Sequence, residues 1–562
     1  ERLYRLLPAV HRLRDAEQGE PLRALLGVIE EEFERIETDT EGLYDNWFIE
    51  TCEEWVVPYI GDLLGVRGQY NFDNAAQSMR PFVANTLHYR RRKGTAAMLE
   101  GLALDVTGWP TRAVEFFQLL GTTQYLDHRR SIDLRTPDLR DTNALELIGG
   151  PFEKTMHFAE VRRISTRQGK YNIGNVGLFV WRLLAQPIEL APATPAVAIG
   201  PGRFRFDQLG ADAVMFNRRP LDRPKAQLSA RVVESDMPGP VRMRALYDEL
   251  VALRASLVAG EPPKLDYFAS PPVFRVYADG VEIPAEKIQI CDLSDWTTLP
   301  APISYALPMQ APTTTRVAVD PRTGRFAYVD GSAPKMTHVS YQYGFSAKIG
   351  GGPFTRPASA VAASAKIYIE PADPAALVDD SFVTAIGQWV TAGRPSATFV
   401  FRGPFQDHGS ATFAVADLDI PAGCVVGLTA DDDLRPLLHA NAPWKVTLAP
   451  TSTLFVNGLR VAGDGLEVTT TGTPESEFTL AIEDSTFVPG YSLDETGAPI
   501  ALGAVSLRVM PASVGRLALS IARSIVGRID ASAGADTTLT VTDSIVDATG
   551  VGDPAIASAN LL

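Results

Sequence analysis

The longest regular pattern of apolar and polar positions lies near the start of the chain. After Pro21, apolar residues fall at Leu22, Leu25, Leu26, Ile29, Phe33 and Ile36, one stripe at the period of an amphipathic helix. The opposite face carries Glu30, Glu31, Glu32, Glu34, Arg35 and Glu37. Pro21 suits the first turn, where its missing N–H would have no intrahelical partner. The spacing is close to a heptad, so the stripe fits a bundle helix closing on its own domain and fits equally a helix packing against a partner subunit. Shorter helices are expected over Trp55–Gly65, Met79–Gly94 and Thr95–Ala103, the last capped by Thr95 or Gly94. Residues 1–115 therefore predict a helical assembly domain.

Residues 116–264 predict a mixed α/β linking domain. Val176–Leu183 is strand-like, Pro187–Pro201 is proline-rich, Arg203–Asp207 alternates with period two, and Val241–Leu253 has a helical pattern. Residues 265–365 predict a small antiparallel β-domain. Val273–Tyr277 runs into the turn signal Asp279, Gly280; Val317–Tyr328 reads as strand, turn, strand; Val339–Phe345 leads to Gly350, Gly351, Gly352 and Pro353. A phosphate loop is the wrong reading of those glycines, because no Gly-Lys-Ser/Thr follows and Pro353 does. A tight backbone crossing between domains accounts for them.

Residues 366–562 contain an internal repeat. Leu480–Val488, Leu519–Val526 and Leu539–Val546 each have Leu, an apolar residue two on and Ser five on (Ser485, Ser524, Ser544). The last two copies start 20 residues apart and the first two 39, about twice that, with Leu454–Leu459 as a degenerate earlier copy. Short alternating strands with polar turns at this period predict a right-handed parallel β-helix. A leucine-rich repeat lacks support, having no Leu-x-x-Leu-x-Leu with Asn and no helical half-repeat. No capping element is visible before Leu562, so either further chain or a partner is expected to cover that end. The fold class expected is multidomain α+β, with an N-terminal helical domain, central mixed and antiparallel β-domains and a C-terminal β-helix.

At 562 residues the chain is too long for one core, and 45% hydrophobic with 21% charged residues is ordinary soluble composition. A net charge of −15 disfavours a broad phosphate-binding surface, so no nucleic-acid partner is expected. The local basic strip Arg90, Arg91, Arg92, Lys93 fits a solvated helix end or a protein contact. Cys52, Cys291 and Cys424 lie far apart with no CxxC, which excludes a disulfide framework or zinc module and fits cytoplasmic synthesis. No apolar run reaches the length of a membrane span; Val176–Leu184 is broken at Trp181 and Arg182, so no membrane insertion is expected. No secretory signal is visible, and because the chain begins at Glu1 without Met, a few residues are expected to precede it.

Candidate chemistry is sparse. Asp417 with Asp419, Asp407 with His408, and Asp431, Asp432, Asp433 are the carboxylates a glycosidase, lyase or metal site would draw on. They form no convergent pattern, and the aspartate triplet fits a turn. The serines at the repeated position fit a stacked polar ladder better than a nucleophile. His128, His157, His338 and His439 are scattered, without HxH or HExxH. No catalytic, cofactor or metal site is expected, and no cofactor.

One resemblance sets a functional expectation. Thr51–Trp55, then Pro58–Gly61, then Leu87–Thr95 with Lys93, Gly94 and Thr95, then Leu99–Leu104, resemble in order and spacing the tail protein I family of contractile phages. The run from Val317 to Arg356 is similar to larger wedge-associated proteins of extracellular contractile injection systems. The resemblance implies a structural baseplate wedge subunit and no enzyme. Its implied partners are other wedge subunits, the central spike or hub, the sheath and tail fibres, in a six-fold assembly. It also implies assembly in the cytoplasm, into a particle later released or membrane-attached. The rival expectation is a carbohydrate-binding or carbohydrate-degrading, tailspike-like β-helix. It needs aromatic residues along one face, and residues 450–562 hold no Trp and few Tyr. A surface adhesin is weaker, for want of a secretion signal.

Overall fold

The computed structural model describes residues 2–66, 78–121, 127, 138–162, 169–217, 231–306, 312–332, 334–357, 365–373, 376–403, 410–489, 504–532, 536–548, 550, 552 and 554–558. The chain is α+β, with helices, antiparallel and mixed sheets, and parallel sheets. It divides into two compact units, Glu1–Val180 with Asp222–Val232, and Trp181–Leu221 with Val233–Leu562.

The first unit holds the helices expected from the pattern. Pro21–Asp45 is one helix with Pro at its start, and Asp15 from the preceding helix Ala9–Glu17 caps it, accepting from the N–H of Leu22 (2.7 Å) and of Arg23 (3.1 Å). Val57–Leu63 and Arg80–Arg91 follow, and Ala96–Thr107 is capped by the Thr95 hydroxyl accepting from Met98 N–H at 3.3 Å. Glu100 ties this last helix to its surroundings. Its buried carboxylate accepts from the backbone N–H of Ala113 (3.1 Å) and of Val232 (3.0 Å) and pairs with Arg112 at 3.2 Å. Thr111–Glu115 pairs antiparallel with Val176–Val180. That second strand ends at Val180, three residues short of the strand expected over Val176–Leu183; the chain resumes as strand Leu184–Pro192 in the other unit.

The second unit begins with a β-domain that crosses the expected boundary at residue 264. Leu184–Pro192 and Arg203–Arg205 pair with Thr337–Phe345 and Arg325–Tyr328, so strands from the expected linking domain complete sheets of the expected antiparallel domain. The backbone groups of strands 325–345 need those partners, which is why the break falls near 181 instead. One sheet is also mixed, because Val317–Asp320 runs parallel to Ile288–Ile290. Asp279 (φ 51°) and Gly280 (φ 80°) form the two-residue turn joining Arg275–Ala278 to Val281–Glu282, both central residues left-handed as such a hairpin requires. Helix Met243–Ala259 packs Leu246, Leu250 and Leu253 onto the sheets.

From Ala365 onward the strands form three parallel sheets of seven, six and six strands, and the chain visits them in turn. Equivalent residues of the first sheet stack in register: Ile367, Phe399, Leu428, Val456, Ile482, Ile521 and Val541 lie on successive strands, as do Leu454, Leu480, Leu519 and Leu539. The repeat units seen in sequence are thus immediate neighbours. The 39-residue interval from Leu480 to Leu519 is one step rather than two, lengthened between strands Thr486–Pro489 and Val505–Val509. The earlier steps, Leu428 to Val456 and Phe399 to Leu428, also exceed 20 residues, because corner lengths vary while strand positions do not. Helix Ser381–Thr391 covers the first strands, with Phe382 against Phe399 and Phe401, and Trp389 against Phe399.

The glycine run crosses this β-module at close range. Gly350 N–H donates to Arg523 O at 2.8 Å and Gly351 N–H to the Thr486 hydroxyl at 2.9 Å. A Cβ on Gly351 would sit 2.4 Å from Leu459 O. Gly351→Ala is therefore expected to destabilise the second unit by about 1–3 kcal/mol through overpacking. Urea titration checks this, and an unchanged midpoint contradicts it.

Candidate docking surface

A helix in water draws most of its stability from burying an apolar face. The Pro21–Asp45 helix runs 25 residues and buries one of them, Glu30. Its apolar stripe faces solvent: Leu25 is 59% exposed, Phe33 59%, Ile36 61% and Leu43 58%, with Val28 and Ile29 beside them. Helix Arg2–Arg5 lies along another face, where Arg2 pairs with Glu37 at 2.7 Å. The stripe is continued in sequence by exposed Tyr44, Trp47 and Phe48, and a second exposed row at four-residue spacing runs from Trp55, in the 3-10 turn Glu54–Val56, to Tyr59 and Leu63 on helix Val57–Leu63. Of the two readings of the stripe, packing within the domain accounts only for its edge. The second row was legible in the same four-residue spacing.

The second unit is built the other way. Its strands turn Phe399, Phe401, Leu428, Val456, Leu480, Leu519 and Ile521 inward, each essentially fully buried. The Pro21–Asp45 helix of the first unit, by contrast, leaves its apolar stripe in solvent.

The candidate chemical residues are occupied structurally. Asp417 accepts from Lys445 N–H at 3.1 Å, and Asp419 pairs with Arg394 at 3.5 Å. Asp431 pairs with Arg402 at 3.2 Å, Asp432 accepts from Arg356 N–H at 3.2 Å, and Asp433 takes a left-handed turn conformation (φ 62°). Asp407, His408 and His128 lie outside the described residues. Ser485 and Ser524 are fully buried and stack: Ser485 N–H donates to the Ser524 hydroxyl at 3.1 Å, and Ser524 N–H to that of Ser544 at 3.0 Å. Each hydroxyl donates back to a carbonyl two residues earlier, which leaves none poised as a nucleophile.

The histidines stay apart. His338 is buried in strand Thr337–Phe345, and His439 sits between Ala414 and Ala462 on neighbouring strands. His157 stacks on Tyr171, with ring centroids 3.6 Å apart, and both bond the buried Glu153 carboxylate, His157 Nε2 at 2.5 Å and the Tyr171 hydroxyl at 2.8 Å. Burial first, and then the hydrogen bond to Glu153, raise the Tyr171 hydroxyl above its ordinary value. In the basic strip, Arg90 donates to Leu64 O (2.6 Å) and Gly65 O (2.9 Å), capping helix Val57–Leu63, while Arg91, Arg92 and Lys93 are exposed.

Among the described residues no group of three His, Cys, Asp or Glu side chains is placed to hold a metal ion, and no helix is long and apolar enough to cross a membrane. Comparison with known protein families, curated proteins and solved structures finds no match to this chain.

Proposed function

We propose that this chain is a structural baseplate wedge subunit of a contractile injection system or phage tail. In that role it links the central spike or hub to sheath and peripheral components and transmits the contraction trigger. The observation that carries the reading is the solvent-facing stripe of the Pro21–Asp45 helix, a helix whose own unit buries a single residue of it. An assembly supplies the packing that such a helix lacks. The order of short helices ending in the Lys93, Gly94, Thr95 turn supports the same family reading.

Within it, we read residues 366–562 as a right-handed parallel β-helix. In support, strands of three parallel sheets follow one another in rotation, and apolar and serine positions stack in register. A module held by repeated neighbour contacts suits a stiff spacer between moving parts. The particle is assembled in the cytoplasm on this reading.

The test is to purify the tagged full chain from its native cells and to identify what copurifies. Sheath, tube and spike proteins in a particle with a six-fold base are expected. A lone homotrimer that depolymerises polysaccharide would overturn the reading.

A further inference from the structure

The stripe also specifies what can cover it. Leu22, Ile29, Ile36 and Leu43 are spaced seven apart, and Leu26, Phe33 and Thr40 follow each of the first three by four. This is a two-position heptad seam, and the residues bordering it decide the choice of partner. One border runs Leu25, Glu32, Asp39 and the other Arg23, Glu30, Glu37, Tyr44; Glu32, Glu37 and Asp39 are their exposed carboxylates. Over Pro21–Asp45 there are eight carboxylates, against Arg23 and Arg35 alone. Arg35 pairs with Glu32 at 3.1 Å, Arg2 with Glu37 at 2.7 Å and Arg23 with Glu20 at 2.7 Å, all solvent-exposed pairs that a partner cation can exchange with, and the helix keeps its acidic excess.

A second copy of this helix would bring like charge to like charge. In a parallel pair, Glu32 of one copy faces Glu37 of the other; in an antiparallel pair, each border meets itself. Either arrangement opposes association across the seam. An anionic membrane surface is disfavoured by the same charges.

We infer that the Pro21–Asp45 seam docks an amphipathic helix of a different subunit, one whose apolar heptad stripe is bordered by Lys or Arg. This rests on the assembly reading above and names the partner's chemistry at that surface. The seam supplies the affinity, and Glu32, Glu37 and Asp39 select the partner and its register.

The test uses the purified full chain and two synthetic four-heptad helices. Both have Leu and Ile at the seam positions; one has Lys and the other Glu at the bordering positions. The Lys-bordered helix is expected to bind, and to bind about tenfold more weakly in about 1 M salt, where screening shrinks to about 3 Å. The Glu-bordered helix is expected not to bind. The triple variant Glu32→Lys, Glu37→Lys, Asp39→Lys should reverse the preference, and Ile36→Asp should abolish binding of the Lys-bordered helix. Circular dichroism confirms that each variant is folded. The inference is overturned if neither peptide binds, if wild-type chain does not discriminate between them, or if the chain dimerises through this helix at neutral pH. None of those results depends on a particle, so they leave the copurification test standing. Copurification with sheath and tube by the triple variant, undiminished from wild type, would refute the charge selection while keeping the wedge reading.

Discussion

Asp207→Ala is expected to destabilise the second unit by about 3–5 kcal/mol, as removal of one partner from a buried ionic cluster does. The Asp207 carboxylate is buried where the loop after strand Arg203–Arg205 meets the parallel sheets. It accepts from Leu209 N–H at 2.8 Å and from Ala211 N–H at 3.4 Å, and pairs with Arg460 at 3.3 Å. Arg435 lies against the Tyr343 ring and donates to Gly351 O at 3.1 Å, adding a second, half-buried cation nearby. Removing the carboxylate leaves that positive charge uncompensated and two N–H groups unpaired.

Burial alone would raise the Asp207 pKa, but Arg460 and then Arg435 override it and hold the group below the ordinary carboxylate value. A depressed native value stabilises above the unfolded pKa of about 3.9, and the contribution is lost as pH falls through the native value. Urea titrations of wild type and Asp207→Ala should thus differ most above about pH 4 and converge in stronger acid. A variant as stable as wild type at neutral pH would contradict this role.

Glu100→Ala is expected to cost the first unit a similar amount, about 3–5 kcal/mol. The substitution strands the backbone N–H groups of Ala113 and Val232 and leaves Arg112 without its carboxylate. Arg112 is held below its ordinary pKa first by burial and then by Arg231, whose guanidinium donates to Ala113 O at 2.8 Å. Without Glu100 two guanidinium groups face each other there. Glu100→Gln keeps an acceptor but not the charge, and should lose less. Hydrogen exchange at Ala113 and Val232 reports the effect directly. Unchanged protection of both amides in Glu100→Ala would refute it.

Much of the architecture was legible where pattern and local chemistry agree. The Pro21 helix start, the Thr95 cap, the Asp279-Gly280 turn and the hairpin on either side of Pro321–Gly324 are set by neighbouring residues. Strand Leu184–Pro192 was hidden by its prolines, because the sheet that accepts it is formed by residues some 150 positions later. The register of the parallel sheets showed only in the last steps, where corners are short. Helix Ser381–Thr391 carried the signal at Phe382, Ala385, Ile386 and Trp389, but in a segment read for strands. For the docking surface, sequence yielded the stripe and a charged, mostly acidic opposite face. It did not determine which face stayed uncovered, since burial depends on what else the unit packs there. The Asp207, Arg435 and Arg460 cluster joins residues over 200 positions apart and left no local trace.

The proposed wedge role is tested most directly by electron cryomicroscopy of the base of whatever particle copurifies with this chain. This chain is expected in a six-fold ring, with Leu25, Phe33, Ile36 and Leu43 covered by a helix from another subunit. A base that lacks the chain, or one in which that stripe stays bare to solvent, would contradict it.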